Sequence, residues 1–303
     1  MRVAVVGARG QLGAAIVREF STCSPAHEVV PFGHQALDII DDHAVSEAMK
    51  ATRPDVIINC AAYNEVDAAE DHPVDALKLN AFAVRALARA AEDAGAAFVH
   101  YGSDFVFDGK STTPYTEDAP PSPLSTYGAS KMLGEWFALD APRSYVLRVE
   151  SLFGRARGGG PPKGSVAGIL KGLQAGSAPR VFEDRTVSPT YIIDAAAATR
   201  CLLESSAPTG LYHCVSSGFC TWREFGVELA KLLGIEPRLT SVKVADVTLK
   251  ARRPQYCALS NEKLRQAGIE MPTWQDALAR YAGEIIAAPS SEAGTRLQPH
   301  QST

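Results

Sequence analysis

The sequence predicts an α/β fold, a doubly wound parallel sheet followed by a smaller, mixed α/β lobe. Three observations lead to this prediction. Short apolar runs alternate with amphipathic ones over the first half of the 303 residues, the run DVIINC has the composition of a strand buried on both faces, and the regular alternation ends after Gly154. Strands that alternate with helices pair in parallel through right-handed crossovers.

The elements can be assigned in chain order. Residues 2–6 are apolar and largely β-branched, and glycines follow them; then Leu12, Ile16 and Phe20 stand at helical spacing, which predicts strand, turn and helix. Further strands are expected at 28–32, 55–60, 97–101 and 145–149, with a helix from Asp41 or Asp42 and an alanine-rich helix over 76–94 that stops at Gly95. Beyond residue 154, helices are expected at 165–174 and from a capping box at Thr221–Glu224 to residue 233.

The composition narrows the class of protein. Hydrophobic residues make up 46% and charged residues 21%, the ordinary globular mix. A net charge of −4 without blocks of like charge disfavours nucleic acid as a partner. No apolar stretch reaches membrane-spanning length and a strand begins at residue 2, so we expect no membrane partner, no signal peptide and a cytoplasmic location.

Six cysteines are scattered along the chain without a C-x-x-C pair. Several fall inside apolar runs, so we interpret them as buried thiols in a reducing compartment, with neither a disulfide nor a metal role. They are Cys23, Cys60, Cys201, Cys214, Cys220 and Cys257.

The turn GARGQLG carries glycines at positions 7, 10 and 13. In such a turn the first glycine permits the tight bend, the second lets a phosphate approach the backbone, and the third lets the helix pack on the strand. The N–H groups at the helix start then hold a pyrophosphate. Because a strand precedes this turn and a helix follows it, the sequence predicts a Rossmann-type dinucleotide site rather than a purely structural turn.

Few residues bear on the choice between NADH and NADPH. Gly33 and His34 stand after the second strand, where an acid would bind a ribose 2′-hydroxyl and an arginine a 2′-phosphate. Arg9 is either a contact for a 2′-phosphate or a solvated loop charge. We place Asp38 near the adenine and favour NADPH slightly over NADH.

Tyr127 and Lys131 stand one helical turn apart and project from the same face. A nearby ammonium stabilises phenolate, which would bring the tyrosine pKa from about 10 toward neutrality. Taken alone, this spacing favours an incidental Tyr–Lys pair on the protein surface. Because a glycine turn precedes it in the chain, we favour a catalytic pair in which the tyrosine transfers a proton. Ser103, expected two residues past a strand, would donate a hydrogen bond to a reacting carbonyl, or else cap local backbone.

These features predict two lobes and a tail. Residues 1–154 are expected to form the dinucleotide-binding domain. Residues 155–286 are expected to form mainly a substrate-binding lobe, with the option of returning elements to the sheet. Residues 287–303 are polar and rich in small side chains, so we expect a disordered tail.

The chain resembles the extended short-chain dehydrogenase/reductase superfamily and, more closely, its dTDP-4-dehydrorhamnose reductase branch. The glycine turn and the Y-x-x-x-K spacing are common to the superfamily. Similar segments run over nearly the whole chain, and those most specific to the branch are RPDVIINCAAYNEVDAAE, SDFVFDG and RRPQYCALSNEKL.

The resemblance implies NAD(P)H-dependent reduction of the C4 ketone of a 4-keto-6-deoxy sugar nucleotide, of the dTDP-4-dehydrorhamnose type. Tyr127 would protonate the alkoxide, Ser103 would polarise the carbonyl, and Lys131 would hold the nicotinamide ribose and keep the tyrosine acidic. Further implied cofactor contacts are Gly7, Arg9, Gly10, Gln11, Leu12, Asp38, Ala61, Ala62 and Tyr63. Implied substrate contacts are Ser103, Asp104, Tyr127 and Arg253, with Arg185 or Lys163 as further cations for the diphosphate.

Three departures from the branch bear on these expectations. Ser103 stands where the branch has a threonine, which preserves a hydroxyl donor. Ser151 replaces the tryptophan that packs on the sugar, and the neighbouring Glu150 would repel a diphosphate unless it points away or pairs with Arg148 or Arg185. Ala15 replaces the glutamate of the metal-bridged dimer, so neither that dimer nor a metal is expected.

Two other functions stay open. One is a sugar-nucleotide epimerase or dehydratase of the same superfamily, although Phe105 follows Asp104 where dehydratases have an Asp-Glu pair. The other is a non-catalytic NADP-binding protein like the regulatory subunit of methionine adenosyltransferase. Net oxidation of the cofactor would separate a reductase from both.

Overall fold

The computed structural model describes residues 1–156, 158–160 and 162–287. The expected tail lies outside these residues from position 288 on. The strands are β1 Arg2–Val6, β2 Glu28–Phe32, β3 Val56–Asn59, β4 Ala97–Ser103, β5 Ser144–Val149, β6 Leu152–Phe153, β7 Arg180–Phe182, β8 Thr186–Val187, β9 Thr190–Tyr191, β10 Gly210–His213, β11 Cys220–Thr221 and β12 Thr240–Val242. The α-helices are α1 Gln11–Thr22, α2 Asp42–Thr52, α3 Ala68–Asp71, α4 Pro73–Leu77, α5 Ala83–Asp93, α6 Thr126–Leu139, α7 Gly164–Gln174, α8 Ile192–Glu204, α9 Trp222–Leu232, α10 Glu262–Gln266 and α11 Trp274–Ala287.

The main sheet is parallel throughout, with strand order β10-β5-β4-β3-β1-β2. The side chains of successive strand residues point to opposite faces of the sheet and pack in two separate hydrophobic cores. Val3 and Val5 of β1 pack with α1 and α8, whereas Ala4 and Val6 pack with α2 and α5. The sheet is thus covered on both faces, which explains its continuous apolar strands and confirms the predicted Rossmann-type doubly wound fold.

The alanine-rich helix was predicted as one regular element. It instead runs through α4, a π turn at Lys78–Phe82 and α5 before Gly95 turns the chain at φ 65°. The π turn holds Asn80 in the interior, where its amide bonds the backbone of Tyr63 at 2.8 and 3.1 Å and the Ser130 hydroxyl at 3.0 Å. This insertion therefore ties the loop after β3 to the helix α6.

The second half of the chain builds a smaller core from α7, α9, α11 and the short strands around them. The capping box is present, with Thr221 and Glu224 bonding each other's backbone. The same half returns β10 to the edge of the main sheet and α8 to the surface of α1. The division at residue 154 stays a prediction. Within the described ranges, no helix has both the length and the apolar character needed to cross a bilayer.

Candidate active site

The glycine turn is closely packed at two of its three glycines. Gly7 has φ +74°, and a Cβ there would lie 2.7 Å from the Ala61 nitrogen. A Cβ on Gly13 would collide with the Gly7 carbonyl oxygen, whereas one on Gly10 would meet that oxygen only at 3.2 Å. Gly7 and Gly13 therefore serve packing, and the turn leads directly into the start of α1, whose N–H groups are the kind that hold a pyrophosphate.

The other predicted cofactor contacts differ in their burial and in their hydrogen bonds. Gln11 begins α1 and donates to the Gly154 carbonyl at 2.9 Å, and Leu12 is buried in the core. Asn59 and Asn80 hold the backbone of the Ala61–Tyr63 loop. Asp38 is exposed and accepts a bond from the Ile40 N–H at 3.1 Å.

A cavity of about 530 Å³ adjoins the turn. Arg9 lies over Gly33, with its Cδ 3.2 Å from where a Cβ would stand, and Arg18 of α1 lines the same space. No carboxylate is among the described residues that line it. Two cations without an anion suit a ribose 2′-phosphate. Sequence reasoning missed Arg18, although its place on the outer face of α1, two turns after Gln11, was a usable signal. The lining residues are Ala8, Arg9, Ala14, Val17, Arg18, Ser21, Pro31, Gly33, Gln35, Ala36 and Gly158.

Tyr127 and Lys131 lie on α6, whose first turn is capped by the Ser125 hydroxyl. Both are buried. The Tyr127 hydroxyl reaches the side-chain oxygen of Asn64 at 3.5 Å, and Lys131 Nζ donates to the Tyr101 carbonyl at 2.6 Å. The helix thus directs both side chains toward β4 and the residues that follow it, Lys131 to Tyr101 and Tyr127 to Phe105.

The pKa of Tyr127 differs from the expectation. Burial raises it, the negative charge of Asp104 raises it further, and the Ser103 hydroxyl partly opposes both. The Lys131 ammonium is directed to the Tyr101 carbonyl. Burial also lowers the pKa of Lys131 to about 8. A raised pKa keeps Tyr127 protonated at neutral pH, which is the form that a proton donor needs.

His100 lies behind Lys131 and was not anticipated from the sequence. Its Nε2 is 3.5 Å from Lys131 Nζ, and its Nδ1 is 3.2 Å from the Asn59 amide nitrogen. Burial lowers the pKa of His100 well below its ordinary value, with the Lys131 charge as a second cause. A neutral imidazole thus supports the lysine from inside the protein.

Ser103 is the last residue of β4, so the strand runs two residues beyond its expected end. Its hydroxyl accepts from the Phe105 N–H at 3.2 Å and donates to Asp104 Oδ1 at 3.1 Å. Ser103 therefore caps the short helix over 104–106 and lies beside Tyr127, and its hydrogen bond to a reacting carbonyl stays a prediction.

Glu150 points into the protein, which answers the concern that it would repel a diphosphate. It is 2% exposed, and its Oε2 accepts from the Ser188 N–H at 2.5 Å. Arg148 is not its partner, because that guanidinium binds Glu135. Arg185 is the nearby cation, and its charge partly offsets the burial that raises the pKa of Glu150.

The three candidate cations for a diphosphate occupy different settings. Arg253 forms a two-point ion pair with Asp67, at 2.9 and 2.7 Å, which lowers the pKa of that carboxyl to about 2. Arg185 is buried and donates to the Pro254 carbonyl at 3.2 Å. Lys163 is exposed at the start of α7.

The other two departures from the branch take simple forms. Ser151 adopts φ +46° between β5 and β6, with a small side chain at the position where the branch has an indole. Ala15 is buried in the core between α1 and the sheet. An apolar, buried position cannot supply a metal ligand.

Known proteins resemble this chain over almost its full length. The model of the RmlD substrate binding domain family matches residues 1–286. The spore coat polysaccharide biosynthesis protein SpsK of Bacillus subtilis is 34% identical, over 95% of this chain and 99% of its own. A dTDP-4-dehydrorhamnose reductase of Burkholderia thailandensis is 30% identical over 94% and 99%. The crystal structure of the Bacillus anthracis dTDP-4-dehydrorhamnose reductase in complex with NADP has a TM-score of 0.87 at 30% identity, over 93% and 99%.

Proposed function

The chain belongs to the RmlD substrate binding domain family, and we propose that it is an NAD(P)H-dependent oxidoreductase that reduces the C4 ketone of a 4-keto-6-deoxy sugar nucleotide. Relatives named dTDP-4-dehydrorhamnose reductase support this reaction, and the NADP complex of one of them supports the cofactor. Among the relatives' substrates, dTDP-4-dehydrorhamnose is our first candidate.

The residues of the turn fit the proposed cofactor. Gly10 leaves the start of α1 open for a pyrophosphate, and Arg9 and Arg18 supply charge for a 2′-phosphate, which favours NADPH over NADH. When bound, the dihydronicotinamide supplies a hydride. Lys131 is then placed to hold its ribose, and His100 and the Tyr101 carbonyl orient that lysine from behind.

The single observation that carries the proposed chemistry is the convergence of a protonated phenol and a hydroxyl at one edge of the sheet. Tyr127 is buried beside Ser103 and Asp104, and its raised pKa keeps the proton available. Tyr127 gives this proton to the oxygen of the reduced ketone, and Ser103 donates a hydrogen bond to the same oxygen.

Recognition of the nucleotide is assigned to the rim of the site. Arg253, oriented by Asp67, is the proposed contact for the diphosphate. Asp104 accepts a hydrogen bond from the Ser103 hydroxyl at 3.1 Å, and we propose that it acts on the substrate through this hydroxyl. Ser151 opens the wall of the site, so we expect a sugar pocket wider than one closed by an indole.

A cofactor-oxidation assay tests the proposal. Purified protein is incubated with a set of 4-keto-6-deoxy sugar nucleotides, with NADPH and NADH in parallel and with Tyr127→Phe as the inactive control. Stoichiometric oxidation of NADPH is the expected result. Substrate conversion without net oxidation would assign the protein to the epimerases or dehydratases. Tight NADPH binding without conversion of any nucleotide would favour a regulatory binding protein.

A further inference from the structure

Two carboxyl groups share one buried space beneath Ser103. Asp104 and Glu150 are 3% and 2% exposed, and one oxygen of each lies within 4.8 Å of the other and of Cys257 Sγ. Each carboxyl has one bonded oxygen: Asp104 Oδ1 accepts from Ser103, and Glu150 Oε2 accepts from the Ser188 N–H. The other oxygens, Asp104 Oδ2 and Glu150 Oε1, have no hydrogen-bond partner among the residues described.

The charges around this space do not balance if both carboxyls are ionised. Among the described residues, Arg185 is the one cation that acts on both of them, and it also stacks over the Phe105 ring at 5.5 Å. Arg148 is held by Glu135 at 2.7 Å. An unpaired buried charge is costly, so one proton on the pair is the cheaper arrangement.

A metal ion is a weaker explanation for the same cluster. Cys257 Sγ would be one of the ligands, and a guanidinium nitrogen of Arg185 lies 3.6 Å from it. The positive charge of that guanidinium would repel a metal ion. The Cys257 thiol donates to the Pro254 carbonyl at 3.3 Å, and burial raises its pKa well above the ordinary value. A protonated thiol is a poor ligand.

We propose that Glu150 is a positioning residue that shares one proton with Asp104 and thereby sets the direction of the Ser103 hydroxyl. The inference rests on the proposed ketone reduction. While Asp104 is ionised, Ser103 donates its hydrogen to Asp104 Oδ1. When the proton moves from Glu150 to Asp104 Oδ2, the carboxyl of Asp104 becomes neutral and its Oδ1 a weaker acceptor, so the Ser103 hydrogen is released for the ketone oxygen.

This transfer consumes neither a proton nor an electron pair. It moves the negative charge to Glu150, where the Ser188 N–H and the charge of Arg185 stabilise it. Burial raises the pKa of both carboxyls, and their mutual repulsion adds to the rise for Glu150, so the pair titrates as one unit. The titratable and charged groups that face it are Arg185, Tyr127, Cys220, Tyr256 and Cys257.

Kinetics of three variants test the inference. E150Q has no carboxyl proton to give to Asp104, so kcat should fall about tenfold to a hundredfold at neutral pH, with the KM for NADPH unchanged. This loss of kcat should become smaller at lower pH, because the solvent then protonates Asp104. In D104N the side chain is neutral whatever the protonation state of Glu150, so it competes less for the Ser103 hydrogen, and this variant should retain more activity than E150Q despite lying closer to the reaction. E19Q alters a carboxylate that is bonded to Arg200, outside the site, and should match the wild type.

An infrared measurement separates this inference from the proposed function. The wild type at neutral pH should show the absorption of a protonated carboxyl group, which E150Q loses and E19Q keeps. That band is expected whether or not the protein reduces any sugar nucleotide. An active wild type with an equally active E150Q, a wild type without the band, or a stoichiometric divalent metal in the purified protein would each overturn the shared proton.

Discussion

Arg148 and Glu135 form an ion pair between β5 and α6 that is almost closed to solvent. Arg148 Nη2 lies 2.7 Å from Glu135 Oε2, and each side chain is 3% exposed. Arg148 Nε also reaches both carboxylate oxygens at 3.1 Å. Since Glu135 follows Lys131 by one helical turn, this pair anchors to the sheet the helix that carries Tyr127 and Lys131.

Gly102 packs against this ion pair and should not tolerate a side chain. A Cβ there would collide with Glu135 Oε1 and stand 2.9 Å from Arg148 Cγ. We expect Gly102→Ala to lower the free energy of unfolding by about 2 kcal/mol or more, as overpacking beside a buried ion pair does. Denaturant titration measures this, with Gly283→Ala as control, because nothing lies within 4 Å of a Cβ on Gly283. Equal midpoints for the two variants would contradict the assignment.

Two glycines of the turn should fail in different ways. Gly10→Val should keep the fold and lose NADPH, because its side chain occupies the space above the start of α1. Gly13→Ala should destabilise the fold itself, because its Cβ collides with the Gly7 carbonyl. Circular dichroism with fluorescence titration of NADPH distinguishes the two outcomes. Tight NADPH binding by Gly10→Val would place the pyrophosphate elsewhere.

The cavity beside the turn should discriminate between the two cofactors. Arg9→Ala and Arg18→Ala should each weaken NADPH binding about tenfold to a hundredfold, since a charged hydrogen bond contributes about 1.5–3 kcal/mol. NADH binding should change little. Calorimetry with both cofactors measures the ratio, and Lys50→Ala on the exposed face of α2 provides a charge-matched control. Equal losses for NADH and NADPH would argue against a 2′-phosphate contact.

The buried phenol should be needed for chemistry but not for cofactor binding. Tyr127→Phe should lower kcat by about 10²–10⁴-fold, the usual effect of a positioned proton donor, while the Kd for NADPH stays the same. Tyr115→Phe is the matched control, because the Tyr115 hydroxyl donates to Asp108 outside the site. Unchanged turnover in Tyr127→Phe would remove this residue from the mechanism.

Lys131 should make stability depend on pH in a defined direction. Its pKa is lowered to about 8 in the folded protein, against about 10.4 in an unfolded chain. Between these values the unfolded chain binds the extra proton, so the folded state gains stability as the pH rises. Relative to Lys131→Met, the wild type should therefore gain stability above pH 8. Urea midpoints at pH 7 and pH 9.5 test this, and a constant difference would show that the ammonium is not buried.

Sequence patterns predicted the strands and helices whose residues follow a short-range period. Apolar runs located β1 to β5, and the spacing of Tyr127 and Lys131 was sufficient to place both on one helical face. Patterns do not show which distant side chains meet. The contact of Arg253 with Asp67 spans 186 residues, and that of Asp104 with Glu150 depends on how β4 and β5 are aligned. A π turn has no sequence period of its own, so Asn80 was indistinguishable from any other helical residue.

The strand β10 has a practical consequence for anyone who divides this chain. It covers the open edge of β5, and α8 from the same half covers α1. A fragment that ends at Gly154 would expose the backbone hydrogen-bonding groups of β5 and the apolar face of α1 to solvent. An exposed strand edge of this kind promotes aggregation. Truncation is thus a poor route to a minimal nucleotide-binding module, because a fragment that keeps all six strands of the main sheet must extend past β10.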